Sequence, residues 1–134
     1  MKAHHDKIET PLKHARGLGA SHHAVGHWVH QRITAVSNLF LMLWLVWSVV
    51  HNLQGADYAA FTHWLAQPVH SILMILAILS TFYHAAIGTQ VIVEDYIHGE
   101  SKKIATLLAL RFFFIAAGVA CVFSILKIAF TAGA

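Results

Sequence analysis

An all-α membrane protein with three transmembrane helices is the fold this sequence predicts, and three observations predict it. Hydrophobic residues make up 57% of the chain and charged residues only 11%, where soluble domains carry about 25% charged residues; mean hydropathy is +0.61. The apolar residues are gathered into three runs, each long enough to cross a hydrocarbon core of about 30 Å. The basic residues are spread unevenly about those runs. Lys2, Lys7, Lys13, Arg16 and Arg32 precede or open the first, and Lys102, Lys103 and Arg111 surround the start of the third. The connection between the first two holds Asp57 but no Lys or Arg. Cytoplasmic loops are enriched in Lys and Arg, so the N-terminus and the second loop are expected in the cytoplasm, with the first loop and the C-terminus outside. Lys127 is the exception, close enough to the chain end for its charge to snorkel.

Met1 to Gly26 is polar, basic and histidine-rich, and Pro11, Gly17, Gly19 and Gly26 are expected to break any long helix there. It lacks the apolar core of a signal peptide and is expected to be retained. Residues 1–26 therefore read as a cytoplasmic segment and 27–134 as the membrane domain. His4, His5, His14, His22 and His23 raise the question of metal binding, but no pair sits at i, i+4 beside a carboxylate, which favours a solvated tail. His27-Trp28-Val29-His30-Gln31-Arg32 has the composition of an interfacial entry, with a tryptophan at headgroup level. The first span is expected over about 33–50, where Thr34, Ser37 and Asn38 suit a helix-facing rather than a lipid-facing side.

Between Leu53 and Gln67, Tyr58, Phe61, Trp64 and Leu65 recur at helical spacing, which predicts a short amphipathic helix at the interface. Pro68 opens the second span, about 69–96, at a position where its missing N–H is harmless. Gly99 separates it from the third, about 104–130. Three helices make a thin bundle, and lipid provides no hydrophobic drive for their association. The polar and small residues on the first two spans therefore point to a partner membrane subunit.

Within the second span, His84 is a titratable group in a hydrocarbon-depth run, which makes it a functional-site candidate. At roughly 100° per residue, His84, Gly88, Val91 and Asp95 share one helix face. Two readings of His84 stand level on position alone, a core histidine bonded to a neighbour and a cofactor ligand. Gly88 removes bulk where a porphyrin edge would lie, or else lets a neighbouring helix approach. Haem b takes axial imidazoles, and the sequence places no second histidine at comparable depth, so a two-histidine site needs a second chain. Glu94 and Asp95 at a helix C-terminus oppose the macrodipole and call for basic neighbours. Tyr96 beside them is either an interfacial aromatic or a donor to a quinone carbonyl. Arg32 and His27 are either positive-side anchors or partners for the carboxylates of a haem, to which Arg is well suited. The lone Cys121 reads as a small buried apolar residue and can supply neither a disulfide nor a cluster.

The chain has no Gly-rich dinucleotide or phosphate loop, no paired cysteines and no nucleophile–base pattern. Redox chemistry here needs electrons delivered by other subunits.

Taken together, these residues resemble the small hydrophobic membrane-anchor subunits of succinate dehydrogenase, the SdhD type of complex II, in their alphaproteobacterial and mitochondrial-like form. The resemblance runs through Thr10-Pro11-Leu12, Ala15-Arg16-Gly17-Leu18-Gly19, His27 and Gln31-Arg32-Ile33-Thr34-Ala35-Val36. It is closest in His84-x-x-x-Gly88-x-Gln90-Val91-x-x-Glu94-Asp95-Tyr96-x-His98. Beyond Gly99 it is only generic, and the N-terminal histidines are not a family feature.

The resemblance implies that His84 is one axial ligand of a haem b shared with the SdhC-type anchor subunit. It implies that Tyr96, with Asp95 beside it, binds ubiquinone on the cytoplasmic side, and that Arg32 and His27 lie near the haem propionates, with Gly88 in the haem's vicinity. FAD and iron–sulfur clusters then belong to the flavoprotein and iron–sulfur partner subunits, and this chain carries no residue that oxidises succinate. The expected place is a bacterial inner membrane, in contact with lipid and no nucleic acid. A haem-free structural anchor and a histidine-rich metal-binding membrane protein are the alternative readings.

Overall fold

The computed structural model describes residues 21–132, which form four α-helices and, among the described residues, no strand. They are α1 (Ser21–Asn52), α2 (Tyr58–Ala66), α3 (Pro68–Tyr96) and α4 (Glu100–Thr131). The readings placed on residues 1–20, including His4, His5, His14 and the motif at Thr10-Pro11-Leu12, lie outside the described residues. Val25–Asn52, α3 and α4 are each long and apolar enough to cross a membrane, and the chain is a multi-pass membrane protein.

All three long helices exceed the spans read from the apolar runs. At 1.5 Å per residue α1 is about 48 Å long, well beyond a ~30 Å core, so its polar ends stand in the headgroup layers. The largest difference is at its start. The helix starts at Ser21, six residues before the expected entry at His27, and runs straight through Gly26. A glycine costs a helix interior only about 1 kcal/mol, and the backbone beyond it still closes its hydrogen bonds. Gly26 weakens the helix without ending it.

The connection between α1 and α2 is a tight turn in which Gly55 takes a left-handed φ of 71°, a conformation that glycine reaches without steric cost. Asp57 then caps α2, its Oδ1 accepting from the Ala60 N–H at 2.8 Å. Gln67 closes α2, donating its backbone N–H to the Trp64 carbonyl, and is also the first cap of α3, with Pro68 in the first turn. Two side chains of α3 bond back across this corner. The Ser71 hydroxyl donates to the Leu65 carbonyl, and His70 Nδ1 donates to the Trp64 carbonyl at 2.9 Å.

As expected, α2 is a short helix carrying Tyr58, Phe61, Trp64 and Leu65, but it is more than an interfacial float. Trp64 and Leu65 are buried with Ile125 of α4, and Trp44, Leu53, Met74, Ile75, Ile78 and Ile128 pack around them. Trp64 stacks on His70 (4.6 Å between centroids) and on Trp44 (6.1 Å), and these two rings are themselves 6.1 Å apart, so the three cluster together. Tyr58 remains outside, 80% exposed.

The middle helix, α3, packs on both α1 and α4. Few side chains are buried anywhere else, while Phe40, Phe112, Phe123 and Phe130 face outward. Such outward phenylalanines match lipid, in which nothing drives them inside. A short turn, Ile97–Gly99, joins α3 to α4, with Lys103 N–H donating to the Gly99 carbonyl at 2.8 Å.

Candidate functional site

The helices α1 and α3 meet along a line of polar groups. Polar residues on α1 at 27, 30, 31, 34 and 38 fall at the i, i+3, i+4 spacing of one helix face, and this is the face turned to α3. Gln31 lies opposite Gly88, Thr34 opposite His84 and Asn38 opposite Thr81. The two helices are therefore antiparallel, with His84 near the middle of their contact.

Half-buried, His84 has both ring nitrogens engaged from α1. Nδ1 is 2.8 Å from Thr34 Oγ, and Nε2 is 3.4 Å from the Gln31 amide nitrogen. Thr34 itself is buried, 9% exposed, and its hydroxyl reaches back to the His30 carbonyl at 2.8 Å. Gln31 Oε1 and His27 Nε2 are buried without a hydrogen-bond partner among the described residues. Further along the seam the Thr81 hydroxyl donates to Asn38 Oδ1 at 3.4 Å.

A Cβ on Gly88 would sit 3.6 Å from the Gln31 amide, an ordinary contact. Packing against α1 therefore does not by itself require a glycine here, since a methyl group would fit beside Gln31. The missing side chain leaves the His84–Gly88 face uncluttered.

One histidine stands higher in the bundle than the sequence suggested. His30 Nδ1 is 3.2 Å from the Tyr83 hydroxyl, which brings His30 to the level of the residue preceding His84. It is nevertheless on another flank. His30 and Tyr83 line a cavity of about 530 Å³ that His84 does not reach. Among the described residues no cluster of three His, Cys, Asp or Glu side chains could hold a metal ion, so this chain offers an imidazole at His84 rather than a complete metal site.

That cavity lies between α3 and α4, with His27 and His30 at its α1 rim. Its walls are mostly apolar, Phe82, Ile87, Phe114 and Val119 among them, with Gln90 and Arg111 as polar groups. It touches neither His84 nor Tyr96. We place the candidate chemistry at the His84 seam, because the hydrogen-bonded, membrane-depth imidazole lies there.

At the end of α3 the arrangement is different. Asp95 is exposed and Tyr96 is 79% exposed. Of the two terminal carboxylates, Glu94 is bonded to Gln90, which in turn links it to Arg111. Gln90 donates to Glu94 at 2.7 Å, and Arg111 donates to the Gln90 carbonyl at 3.5 Å. Arg32 lies over the Trp28 ring, 5.4 Å from its centroid. The register sets it near the level of Gly88, about 12 Å along the helix from Tyr96.

His27 and Arg32 are five residues apart and so diverge by roughly 140° around α1. Only His27 is on the α3-facing side, and Arg32 faces outward. The sequence-predicted residues thus fall into four groups: His84 with Gly88 in the α1 seam, Asp95 with Tyr96 at the open end, His27 at the cavity rim, and Arg32 apart from all of them. Gln31 and Thr34 join the site only in three dimensions. Their signal in the sequence is the polar stripe on α1, which a helical count through Gly26 exposes.

A family model described as succinate dehydrogenase/fumarate reductase transmembrane subunit matches residues 6–118. A succinate dehydrogenase hydrophobic membrane anchor subunit from Rickettsia bellii (strain RML369-C) is 30% identical over 111 residues, covering 83% of this chain and 88% of that protein. The protein of the same description from Rickettsia conorii (strain ATCC VR-613 / Malish 7) is 25% identical over 86% of this chain and 91% of its own length. That from Paracoccus denitrificans is 26% identical over 77% and 79%. No solved structure is a significant match.

Proposed function

The chain belongs to the succinate dehydrogenase/fumarate reductase transmembrane subunit family, and from that premise we propose that it anchors a succinate:ubiquinone oxidoreductase, shares a haem b and helps form the quinone site. The partners are an SdhC-type anchor subunit, an iron–sulfur subunit and a flavoprotein, in a bacterial inner membrane with the Tyr96 end of α3 on the cytoplasmic side. Succinate oxidation belongs to the flavoprotein, and this chain serves the membrane half of the reaction.

The observation that carries the reading is His84, a half-buried imidazole at mid-bundle beside a glycine, held from α1 by Thr34 and Gln31. His84 would hold a haem b through Nε2, which has only the Gln31 amide against it, at a distance long for a hydrogen bond. A second imidazole would come from the SdhC-type chain, since His30 stands on another flank. A haem b held there would supply one-electron chemistry between the two anchor chains. Arg32 faces outward, where it can pair with a propionate at the subunit boundary. His27 brings a buried, unpartnered Nε2 to the same half of the bundle.

Tyr96 and Asp95 act at the quinone. An exposed phenol at the end of a membrane helix donates its O–H to a quinone carbonyl and thereby polarises it toward reduction. The adjacent Asp95 carboxylate orients that phenol and passes protons from water to the reduced ring. Both residues lie open at the edge of this chain, and partner subunits supply the rest of the pocket.

The test is a reduced-minus-oxidised spectrum of the complex purified through a tag on this chain. A b-type band is expected in the native complex, and His84→Ala is expected to lose it while the flavoprotein still co-purifies. An unchanged band in His84→Ala overturns the ligand assignment. A complex with no b-type band at all favours the haem-free anchor.

A further inference from the structure

We infer that Thr34 is a positioning residue for His84, accepting the imidazole Nδ1–H so that the Nε2 lone pair is the one presented to a metal. The inference rests on the reading of His84 as a haem ligand, and it adds a partner on α1 that fixes the ligand's tautomer.

The argument is a count of protons and lone pairs. A threonine hydroxyl has one proton to donate and two lone pairs. The Thr34 proton has an acceptor in its own helix, the His30 carbonyl at 2.8 Å. With the proton placed there, the Thr34 oxygen at 2.8 Å from His84 Nδ1 is an acceptor, and Nδ1 carries the hydrogen. A neutral imidazole with its proton on Nδ1 has its lone pair on Nε2. The Gln31 amide lies 3.4 Å from Nε2, too far to set which ring nitrogen carries the proton, so the tautomer rests on Thr34.

Burial makes the arrangement firm. Thr34 is 9% exposed, so no bulk water competes for either the hydroxyl or Nδ1. β-branching also limits its side chain to few rotamers on a helix. A metal-bound imidazole whose second nitrogen donates to an oxygen is more basic and better oriented than one without that bond. Thr34 is therefore placed to raise the electron donation of His84 and to hold the plane of its ring. The Gln31 amide has the complementary part. It covers Nε2 within the isolated chain and must withdraw when a metal approaches, and Gly88 leaves it room to do so.

The experiment compares Thr34→Val, which keeps shape and loses the hydroxyl, with Thr34→Ser, which keeps the hydroxyl, in the complete purified complex. His84→Ala serves as the reference for ligand loss. Three readouts are taken: haem retained per complex, the haem midpoint potential, and the ferric low-spin electron paramagnetic resonance signal. Thr34→Val is expected to retain haem about 10-fold less tightly, the lower end of the range for losing such a partner. Its midpoint potential is expected to move upward, because a less basic imidazole stabilises the oxidised iron less. Thr34→Ser is expected to behave as the native protein.

If Val disturbs packing, Thr34→Ala leaves space instead of filling it and is expected to show the same upward shift. Native potential and native retention in both Val and Ala variants, with the band lost in His84→Ala, overturn the role of Thr34 and leave the ligand reading intact. A band that survives His84→Ala overturns the ligand reading itself. A Ser variant that shifts as far as Val also overturns the inference, since packing rather than the hydroxyl then sets the effect.

Discussion

At one end of the bundle Trp64 and Leu65 are buried against Ile125, with rings and aliphatic side chains from all four helices around them. About four turns along α3, the His84 level has a different construction: Thr34, Gln31 and Asn38 reach across to α3 through hydrogen bonds. The first region is joined by shape, the second by polar groups that specify which residues face each other. Interhelical hydrogen bonds within membranes contribute about 0.6 kcal/mol each on average, whereas losing a buried large aromatic costs about 3 kcal/mol or more. The Trp64 end therefore supplies stability, and the His84 seam supplies register at little energetic gain. A seam built in this way can exchange one hydrogen bond for a metal–ligand bond without loosening the whole bundle.

Substitutions at four positions test that division, the largest effect first. Trp64→Ala is expected to destabilise the chain by about 3 kcal/mol, measured as equilibrium unfolding in mixed micelles. Trp64→Phe is expected to lose far less, because it keeps most of the packing and removes an indole N–H that is buried without a partner. Equal losses for the two variants would show that the ring stack is not what holds this end.

Smaller effects are expected in the seam. Asn38→Ala and Thr81→Ala are each expected to cost about 0.6 kcal/mol, with a coupling energy of the same size in the double-mutant cycle. A coupling of several kcal/mol would place the stability in the polar seam and reverse the comparison. Tyr96→Phe, at the open end that neither region reaches, is expected to leave stability unchanged. It is expected to lower quinone reduction several-fold while succinate oxidation by an artificial soluble acceptor survives. Parallel loss of both activities would indicate an assembly defect in place of a quinone contact.

The length and apolarity of the three long helices could be read directly, because apolar runs of that length have few other uses. The short helix before Pro68 could be read as well, from the spacing of Tyr58, Phe61, Trp64 and Leu65. The register between helices was less accessible. Lipid-facing and helix-facing surfaces are both apolar here, so hydrophobic contrast says little about which side of α1 meets α3. The polar residues carry that information, and Thr34 and Asn38 were recognisable as helix-facing for that reason.

Treating Gly26 as a helix end hid the rest of the stripe, since His27, His30 and Gln31 then seemed to belong to an interfacial segment. The link from Glu94 through Gln90 to Arg111 spans two helices, and no local pattern announces it.

The contact between Trp64 and Ile125 also has a consequence in time. Roughly 60 residues separate the two, and synthesis at about 5–20 residues per second puts an interval of several seconds between them. The α1–α3 seam also joins residues about 50 apart, but its last members, His84 and Gly88, are made before α4 begins. The helix pair that presents His84 can therefore form while α4 is still being made. The short helix α2 must meanwhile wait with its tryptophan covered by Trp44 and His70 but not yet by Ile125. In biosynthetic order the ligand-bearing pair comes first and the cover last, which leaves an interval in which a partner chain can meet His84 before this subunit has closed its opposite end.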